Sequence, residues 1–209
     1  MTSKHPTLIS IKSRNSNIIN NKTFITPHDA INTIAPTSGS EPKYEPNKWN
    51  NNNKIKNNNN CYSYSLNSYS IKKDKPQPGY FANFSSLRES DYKCPTFLLR
   101  LKKDNPTLYV ERFNKPCKKT YHKAFIAIDN SGDPDYHFYR QDSNGYWSHK
   151  PGRQDVINVD ADDKLIINPL TSNRNFQNYN YKIPCFFFCV NSKFTRSHSS
   201  HSRHRFDLF

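Results

Sequence analysis

Short apolar and aromatic runs alternate with turn-forming residues through the second half of the chain. The predicted strands are 123–129, 136–141, 146–149, 164–167 and 184–190. The first and second strands are separated by the dense turn signal 130–135, and the second and third by the turn 142–145. Strands joined by such short turns predict a mostly antiparallel sheet.

The segment 61–70 fits either a helix or a strand. In a helix Tyr62, Leu66 and Tyr69 share one face, whereas in a strand Tyr62, Tyr64 and Leu66 alternate with small residues. Asn60 is a good N-cap directly before the segment, so we favour a helix that begins at Cys61. The apolar run 97–99 is too short to assign by periodicity.

The chain divides into three parts. Residues 1–60 contain 14 Asn and few apolar residues, which predicts a disordered basic tail because little burial offsets the entropy of ordering. Residues 191–209, rich in His, Ser and Arg, predict a second disordered tail. Residues 61–190 therefore form the predicted α+β domain, in which a helix bearing Cys61 packs on the antiparallel sheet.

The chain is basic, with a net charge of +14. Residues 61–190 hold 19 basic and 13 acidic residues, so most of the surplus lies in the tails. This charge predicts weak nucleic-acid binding through the tails. Tyr139 beside Arg140, and Trp147 near Lys150, are aromatic and basic neighbours that can stack on bases.

No membrane span or secretory signal is apparent. The longest apolar run, 185–190, is far shorter than the about 20 residues of a membrane span. The first residues lack the apolar stretch of a signal peptide. We therefore expect a cytoplasmic or virion-associated protein that is not secreted by a recognisable signal.

Five cysteines occur at irregular spacings, which argues against a disulfide framework and for reduced thiols. Cys185 and Cys189 are expected to be buried in the core. No convincing zinc spacing and no glycine-rich phosphate loop are present, so no metal and no cofactor are expected.

Cys61 is the candidate nucleophile. At the start of a helix its thiol lies at the positive end of the dipole, which is expected to lower the thiol pKa. The candidate bases in the domain are His122, His137 and His149.

The turn at 142–145 decides how two of these histidines relate. With Gly145 left-handed in a three-residue loop, Tyr139 pairs with His149, and both histidines share one face on a diagonal of about 7–8 Å. A two-residue turn shifts the pairing by one and places them on opposite faces.

The order of Cys61 at a helix start, His137 on a strand and His149 twelve residues later resembles the papain-like cysteine hydrolases of the NlpC/P60 group. The strings 136–142 and 145–152 also resemble an uncharacterised family found in bacteria and large DNA viruses. The resemblance covers about 130 residues, taken as one domain.

The resemblance implies a hydrolase or amidase that cleaves a peptide, isopeptide or cell-wall amide. Cys61 would be the nucleophile, His137 the general base and His149 the residue that orients it. In an alternative assignment His122 is the base and His137 orients it. The competing interpretation is a basic nucleic-acid-binding or virion-associated structural protein with an inactive papain-like fold.

Overall fold

The computed structural model describes residues 25, 29–69, 75–191 and 193. Four α-helices are present in this part of the chain: α1 Pro46–Asn50, α2 Asn53–Asn58, α3 Cys61–Ser65 and α4 Cys94–Asp104. The strands are β1 Tyr109–Val110, β2 His122–Asp129, β3 Asp135–Gln141, β4 Trp147–His149 and β5 Ile183–Val190. Tyr80–Ala82 and Glu89–Asp91 form short 3₁₀ helices.

The five strands form one sheet in the order β1-β5-β2-β3-β4, and every neighbouring pair is antiparallel. All eight residues of the central strand β2 are buried. The fold is therefore α+β with an antiparallel sheet, as the run of short strands predicted.

Both faces of the sheet are covered. Alternate residues of the strands, such as Ile126 and Phe138, pack with Tyr62 of α3 and Phe97 of α4. The residues between them face a second core. It contains Phe125, Ala127, Tyr139, Trp147, Ile166, Tyr181 and Phe187. Helices α3 and α4 thus cover one face of the sheet, and loop segments both before β2 and after β4 cover the other.

Four of the five predicted strands are confirmed as β2 to β5, with small changes at their ends. The run 164–167 makes only an isolated bridge between Leu165 and Val159, so the strand predicted there is wrong. A turn at Asp160 shapes this segment, because its carboxylate accepts bonds from the backbone of Asp162 and Lys164. The unassigned run 97–99 lies inside α4.

The asparagine-rich segment before residue 61 is ordered from residue 29, so the predicted disorder is wrong there. Asn52 caps α2 by accepting from two backbone N–H groups, and Trp49 is only 2% exposed. The ring of Trp49 packs edge-on against Tyr64, with 4.9 Å between centroids. Composition suggested a tail, whereas individual asparagines are helix caps. Residues 1–24 and 26–28, and nearly all of 191–209, lie outside the described residues.

Four of the five cysteines form disulfides, Cys94 with Cys185 and Cys117 with Cys189. The expectation of reduced thiols throughout is therefore wrong. The partners are 91 and 72 residues apart in sequence, so local spacing carried no sign of the pairing. Both bridges end on β5 and tie that strand to α4 and to the loop before β2. Cys61 is the free cysteine.

A buried polar cluster connects the helical layer to β3 and β4. The fully buried guanidinium of Arg140 pairs with Asp142 at 2.7 Å and donates to the Tyr64 hydroxyl at 2.8 Å. The Tyr64 hydroxyl also bonds Ser148 at 2.7 Å. A buried charge is tolerated only when paired and hydrogen-bonded, which is the state of Arg140.

We predict that a non-reducing peptide map will show the two disulfides with Cys61 free. The Cys117→Ser and Cys189→Ser double variant should lose about 2–5 kcal/mol of unfolding free energy, because the crosslink restricts the unfolded chain. Urea denaturation measures the loss. Cys61→Ser is the matched control and should leave both bridges intact. Alkylation of Cys117 and Cys189 in the non-reduced native protein would contradict the pairing.

Candidate active site

Cys61 is placed by its capping residue. The Asn60 side chain accepts from the Ser63 N–H at 3.1 Å, which starts α3 at Cys61 and confirms the predicted helix. The Asn60 amide also donates to the Pro76 carbonyl at 2.9 Å, which fixes the cap against a neighbouring loop. All five residues of α3 are buried, so the helix is pressed against the sheet.

His137 and His149 lie on one face of the sheet. Gln141 pairs with Trp147 and Tyr139 with His149, and Gly145 is left-handed with φ of 87°. This is the register predicted for the three-residue loop. The rings meet on the diagonal, with 2.7 Å between His137 Nε2 and His149 Nδ1.

A cavity of about 700 Å³ brings the three predicted residues together. Cys61, His137 and His149 all line it. β4 pairs only with residues 139–141 of β3, which leaves Tyr136 and His137 beyond that pairing. The Tyr136 carbonyl, beyond that pairing, accepts from the Cys61 thiol at 3.9 Å. The thiol on the helical side and the imidazoles on the other side therefore approach the same edge of β3.

The hydrogen bonds settle which nitrogens carry protons in the neutral histidine pair. His149 Nε2 lies 2.9 Å from the Val159 carbonyl, which can only accept, so this nitrogen carries the proton. His149 Nδ1 is then an acceptor, and His137 Nε2–H donates to it. His137 Nδ1 is left with its lone pair, which is the form a general base requires.

Burial keeps both rings neutral. It lowers the pKa of His149 to about 4 and the pKa of His137 well below 6.5, the latter also through the neighbouring His149. Neutral imidazole is the proton-accepting form at neutral pH. The Tyr181 ring stacks on His137 with 5.0 Å between centroids and helps to exclude water.

The Cys61 thiol is also neutral at rest. Burial, and secondly the charge of Asp135, raise its pKa to about 12, while the backbone N–H groups of Phe138 and Tyr62 act in the opposite direction. The expectation that the helix dipole lowers the pKa of the Cys61 thiol is therefore wrong. α3 has only five residues, and the desolvation of a fully buried thiolate outweighs so short a helix.

His122, the alternative base, lies elsewhere. It begins β2, and its Nε2 bonds the Ser65 carbonyl at 2.7 Å at the far end of α3. It is not among the described residues that line the cavity. Burial lowers its pKa to about 4. The structure therefore brings His137, and not His122, to the cavity of Cys61.

Sequence reasoning missed several cavity residues. Asp135 is two residues before His137, so the period of a strand places both side chains on one face, a signal the sequence contained. Phe176 and Tyr181 come from a distant loop, and no local pattern pointed to them.

Lys150 supports one wall of the cavity. Its buried ammonium donates to the carbonyls of Lys56, Gly152 and Gln154 at 2.8, 2.8 and 2.9 Å. Gly152 and Gln154 line the cavity, and Lys56 belongs to the helix that leads to Cys61. One side chain thus joins the wall to the segment that carries the thiol.

The side chains considered for base stacking are buried. Arg140, Trp147 and Lys150 are 0% exposed and Tyr139 is 1% exposed. They cannot stack on a nucleic acid without unfolding the sheet, so that part of the nucleic-acid interpretation is wrong. Within the described residues, no helix is long and apolar enough to cross a membrane, and no group of His, Cys, Asp and Glu could hold a metal.

Comparisons with known proteins give one partial similarity. The chain is 48% identical over 52 residues to insoluble matrix shell protein 1 of Ruditapes philippinarum, a match that covers 25% of this chain. It spans only 35% of the length of that protein. No protein-family pattern matches the chain, and no solved structure matches it.

Proposed function

We propose that this protein is a cysteine hydrolase or amidase of papain-like, NlpC/P60-like type that cleaves a peptide, isopeptide or cell-wall amide. The observation that carries the proposal is one cavity lined by a free thiol and a hydrogen-bonded histidine pair. Support for the fold type comes from the order of a cysteine at a helix start and two histidines on neighbouring antiparallel strands.

In the first step, the Cys61 sulfur attacks the substrate carbonyl carbon while its proton passes to His137 Nδ1. Both partners begin neutral, so the transfer accompanies attack and no thiolate is stored beforehand. The charge that forms on His137 is shared with His149, whose own proton is held by Val159. His137 then returns the proton to the leaving amine as the C–N bond breaks, leaving a thioester on Cys61.

In the second step, a water molecule attacks the thioester carbonyl and gives a proton to His137. The C–S bond breaks, the proton returns to the Cys61 sulfur, and the carboxylic acid leaves. Neither step needs a cofactor. His149 acts throughout as the positioning residue that keeps His137 Nδ1 unprotonated at rest.

A structural role without catalysis is the second candidate. The two disulfides, which persist in extracellular proteins, are compatible with it, and so is the partial similarity to insoluble matrix shell protein 1. For either candidate we infer an oxidising compartment from the two disulfides, which departs from the cytoplasmic or virion-associated location expected from the lack of a recognisable secretory signal.

The rate at which N-acetyl-dialanyl chloromethyl ketone alkylates Cys61, followed by peptide mass spectrometry, tests the assignment. We expect His137→Ala to slow alkylation about a hundredfold or more, because the sulfur loses its proton acceptor. His149→Ala should reduce the alkylation rate by a smaller factor. His137 is still present in that variant, but nothing holds it in the tautomer with Nδ1 unprotonated.

His122→Asn is the matched control, since His122 is an equally buried histidine outside the cavity. It should retain most of the rate, with melting temperature followed for every variant. If the alkylation rate fell in His122→Asn but not in His137→Ala, His122 would be established as the base. If the chloromethyl ketone does not alkylate Cys61 in the native protein, the hydrolase proposal is contradicted and the structural candidate is favoured.

The pH dependence of the Cys61 alkylation rate follows from the protonation of His137. Only neutral His137 accepts the thiol proton, and burial lowers its pKa well below the ordinary 6.5. The alkylation rate should therefore hold as the pH falls through 6.5 and decline only at lower pH. A midpoint at or above 6.5 would contradict the buried histidine pair.

Thermal stability should be measured in the same buffers. His122 and His149 have folded pKa values of about 4, so these two residues bind more protons in the unfolded chain than in the folded chain below about pH 6.5. Their contribution to folding stability therefore decreases from about pH 6.5 towards pH 4, and the raised pKa values of Asp104, Asp135 and Asp142 act in the opposite direction. The rate is interpreted only where the protein remains folded.

A further inference from the structure

The loop before α4 contains a short motif that the proposed chemistry does not use. Residues 83–85 are Asn-Phe-Ser, the acceptor sequence for N-linked glycosylation, in which any residue except proline can stand in the middle. Sugar is attached at such a sequence when it lies on the surface of a protein that passes through the secretory compartment. The surroundings of Asn83 therefore decide whether it can carry a glycan.

The motif lies in irregular chain between two short 3₁₀ helices. Tyr80–Ala82 ends directly before Asn83, and Glu89–Asp91 begins at residue 89. Residues 84–88 belong to no helix or strand. A transferase can therefore bind this backbone without breaking the hydrogen bonds of a regular element.

Exposed and half-buried side chains alternate along the motif. Asn83 and Ser85 are exposed, whereas Phe84 between them is half-buried. The guanidinium of Arg100 in α4 lies over the Phe84 ring, 5.1 Å from its centroid, and also donates to the Ser85 carbonyl at 2.9 Å. Arg100 thus holds the loop through its middle side chain and its backbone. The Asn83 amide and the Ser85 hydroxyl, which the transferase must recognise, stay at the surface.

The backbone at Asn83 is left-handed, with φ of 61° and ψ of 30°. Its N–H donates to the Tyr80 carbonyl at 3.2 Å, which ends the 3₁₀ helix. Asparagine adopts this conformation more readily than most residues, so the turn by itself accounts for an asparagine here. The turn makes no demand on the residue at position 85, and it is the pair of Asn83 and Ser85 that forms the acceptor sequence.

Asparagine is abundant in this chain, yet few of its asparagines are candidates. Among the described residues, Asn105 is the other asparagine that stands two positions before a serine or threonine. Pro106 follows it, which excludes glycosylation, and Asn105 is only 1% exposed. A further acceptor sequence, Asn21-Lys22-Thr23, lies outside the described residues.

We propose that Asn83 is an N-glycosylation site that carries an oligosaccharide. The two disulfides indicate folding in an oxidising compartment such as the endoplasmic reticulum lumen, where the sugar would be added. The inference rests on that compartment and not on the hydrolase proposal, because Asn83 is not among the residues that line the cavity of Cys61.

The donor is an oligosaccharide joined to a lipid diphosphate, and a cellular transferase catalyses the step. The Asn83 amide nitrogen attacks C1 of the first sugar and forms the C–N bond. The bond from C1 to the phosphate oxygen breaks, and the lipid diphosphate leaves with the bonding electrons. The amide nitrogen loses one of its two protons to a base of the transferase. The product is larger and more polar than the asparagine side chain.

The test uses the full chain, directed into the endoplasmic reticulum of cultured animal cells by an added, cleavable leader. A non-reducing peptide map first identifies chains that contain both disulfides. Peptide N-glycosidase F then removes N-linked sugar and converts the modified asparagine to aspartate. We expect mass spectrometry to detect this conversion at residue 83 after treatment and not before, separately from any conversion at residue 21.

Variants of the serines separate glycosylation from other changes at Asn83. Ser85→Ala leaves Asn83 and its left-handed turn in place but removes the hydroxyl of the acceptor sequence, so the conversion at residue 83 should be lost. Ser85→Thr restores an acceptor sequence and should restore the conversion. Ser86→Ala is the matched control, because Ser86 is an exposed serine directly after the motif. It should be modified as the wild-type chain is.

Each outcome bears on the site alone. An unmodified Asn83 in chains that contain both disulfides overturns the inference. A conversion that persists in Ser85→Ala also overturns it, because the transferase then does not recognise this motif. Chains that enter the lumen and form neither disulfide remove the argument from the compartment and overturn the inference with it. Alkylation of Cys61 tests the hydrolase proposal independently of all three outcomes.

Discussion

The buried guanidinium of Arg140 holds together the elements that carry the candidate site. It lies on β3, pairs with Asp142 at the end of that strand, and reaches across to Tyr64 of α3. Asp142 also accepts from Ser148 of β4, so helix and both strands share one network. Removal of a single partner from such a network leaves a buried charge uncompensated, which costs several kcal/mol. The position of Cys61 relative to the histidines therefore depends on this cluster.

Burial then determines the chemistry available in the cavity. A fully desolvated thiol resists ionisation, and desolvated imidazoles resist protonation, so the resting site is neutral. Such a site suits proton transfer during attack better than a stored ion pair. The backbone also takes part, because the Val159 carbonyl fixes the proton of His149 and thereby the tautomer of His137.

Two buried lysines satisfy backbone carbonyls around the sheet. Lys150 donates to three backbone carbonyls beside the cavity. Lys123 of β2 likewise donates to the carbonyls of Arg112, Phe113 and Lys115, in the loop before that strand. Each ammonium satisfies loop carbonyls that would otherwise be buried without partners. With the two disulfides on β5, these contacts stabilise long loops in a chain with few apolar residues.

The sequence by itself determined the local interactions. The strand runs, the Asn60 cap of Cys61 and the Gly145 turn that places His137 and His149 on one face all depend on neighbours a few residues apart. Tertiary structure alone decided the disulfide partners, the order of the asparagine-rich segment, and the tyrosines that join Asp135 in the cavity. It also reversed the expected direction of the Cys61 pKa, because desolvation depends on what packs around a thiol and not on the residues beside it in sequence.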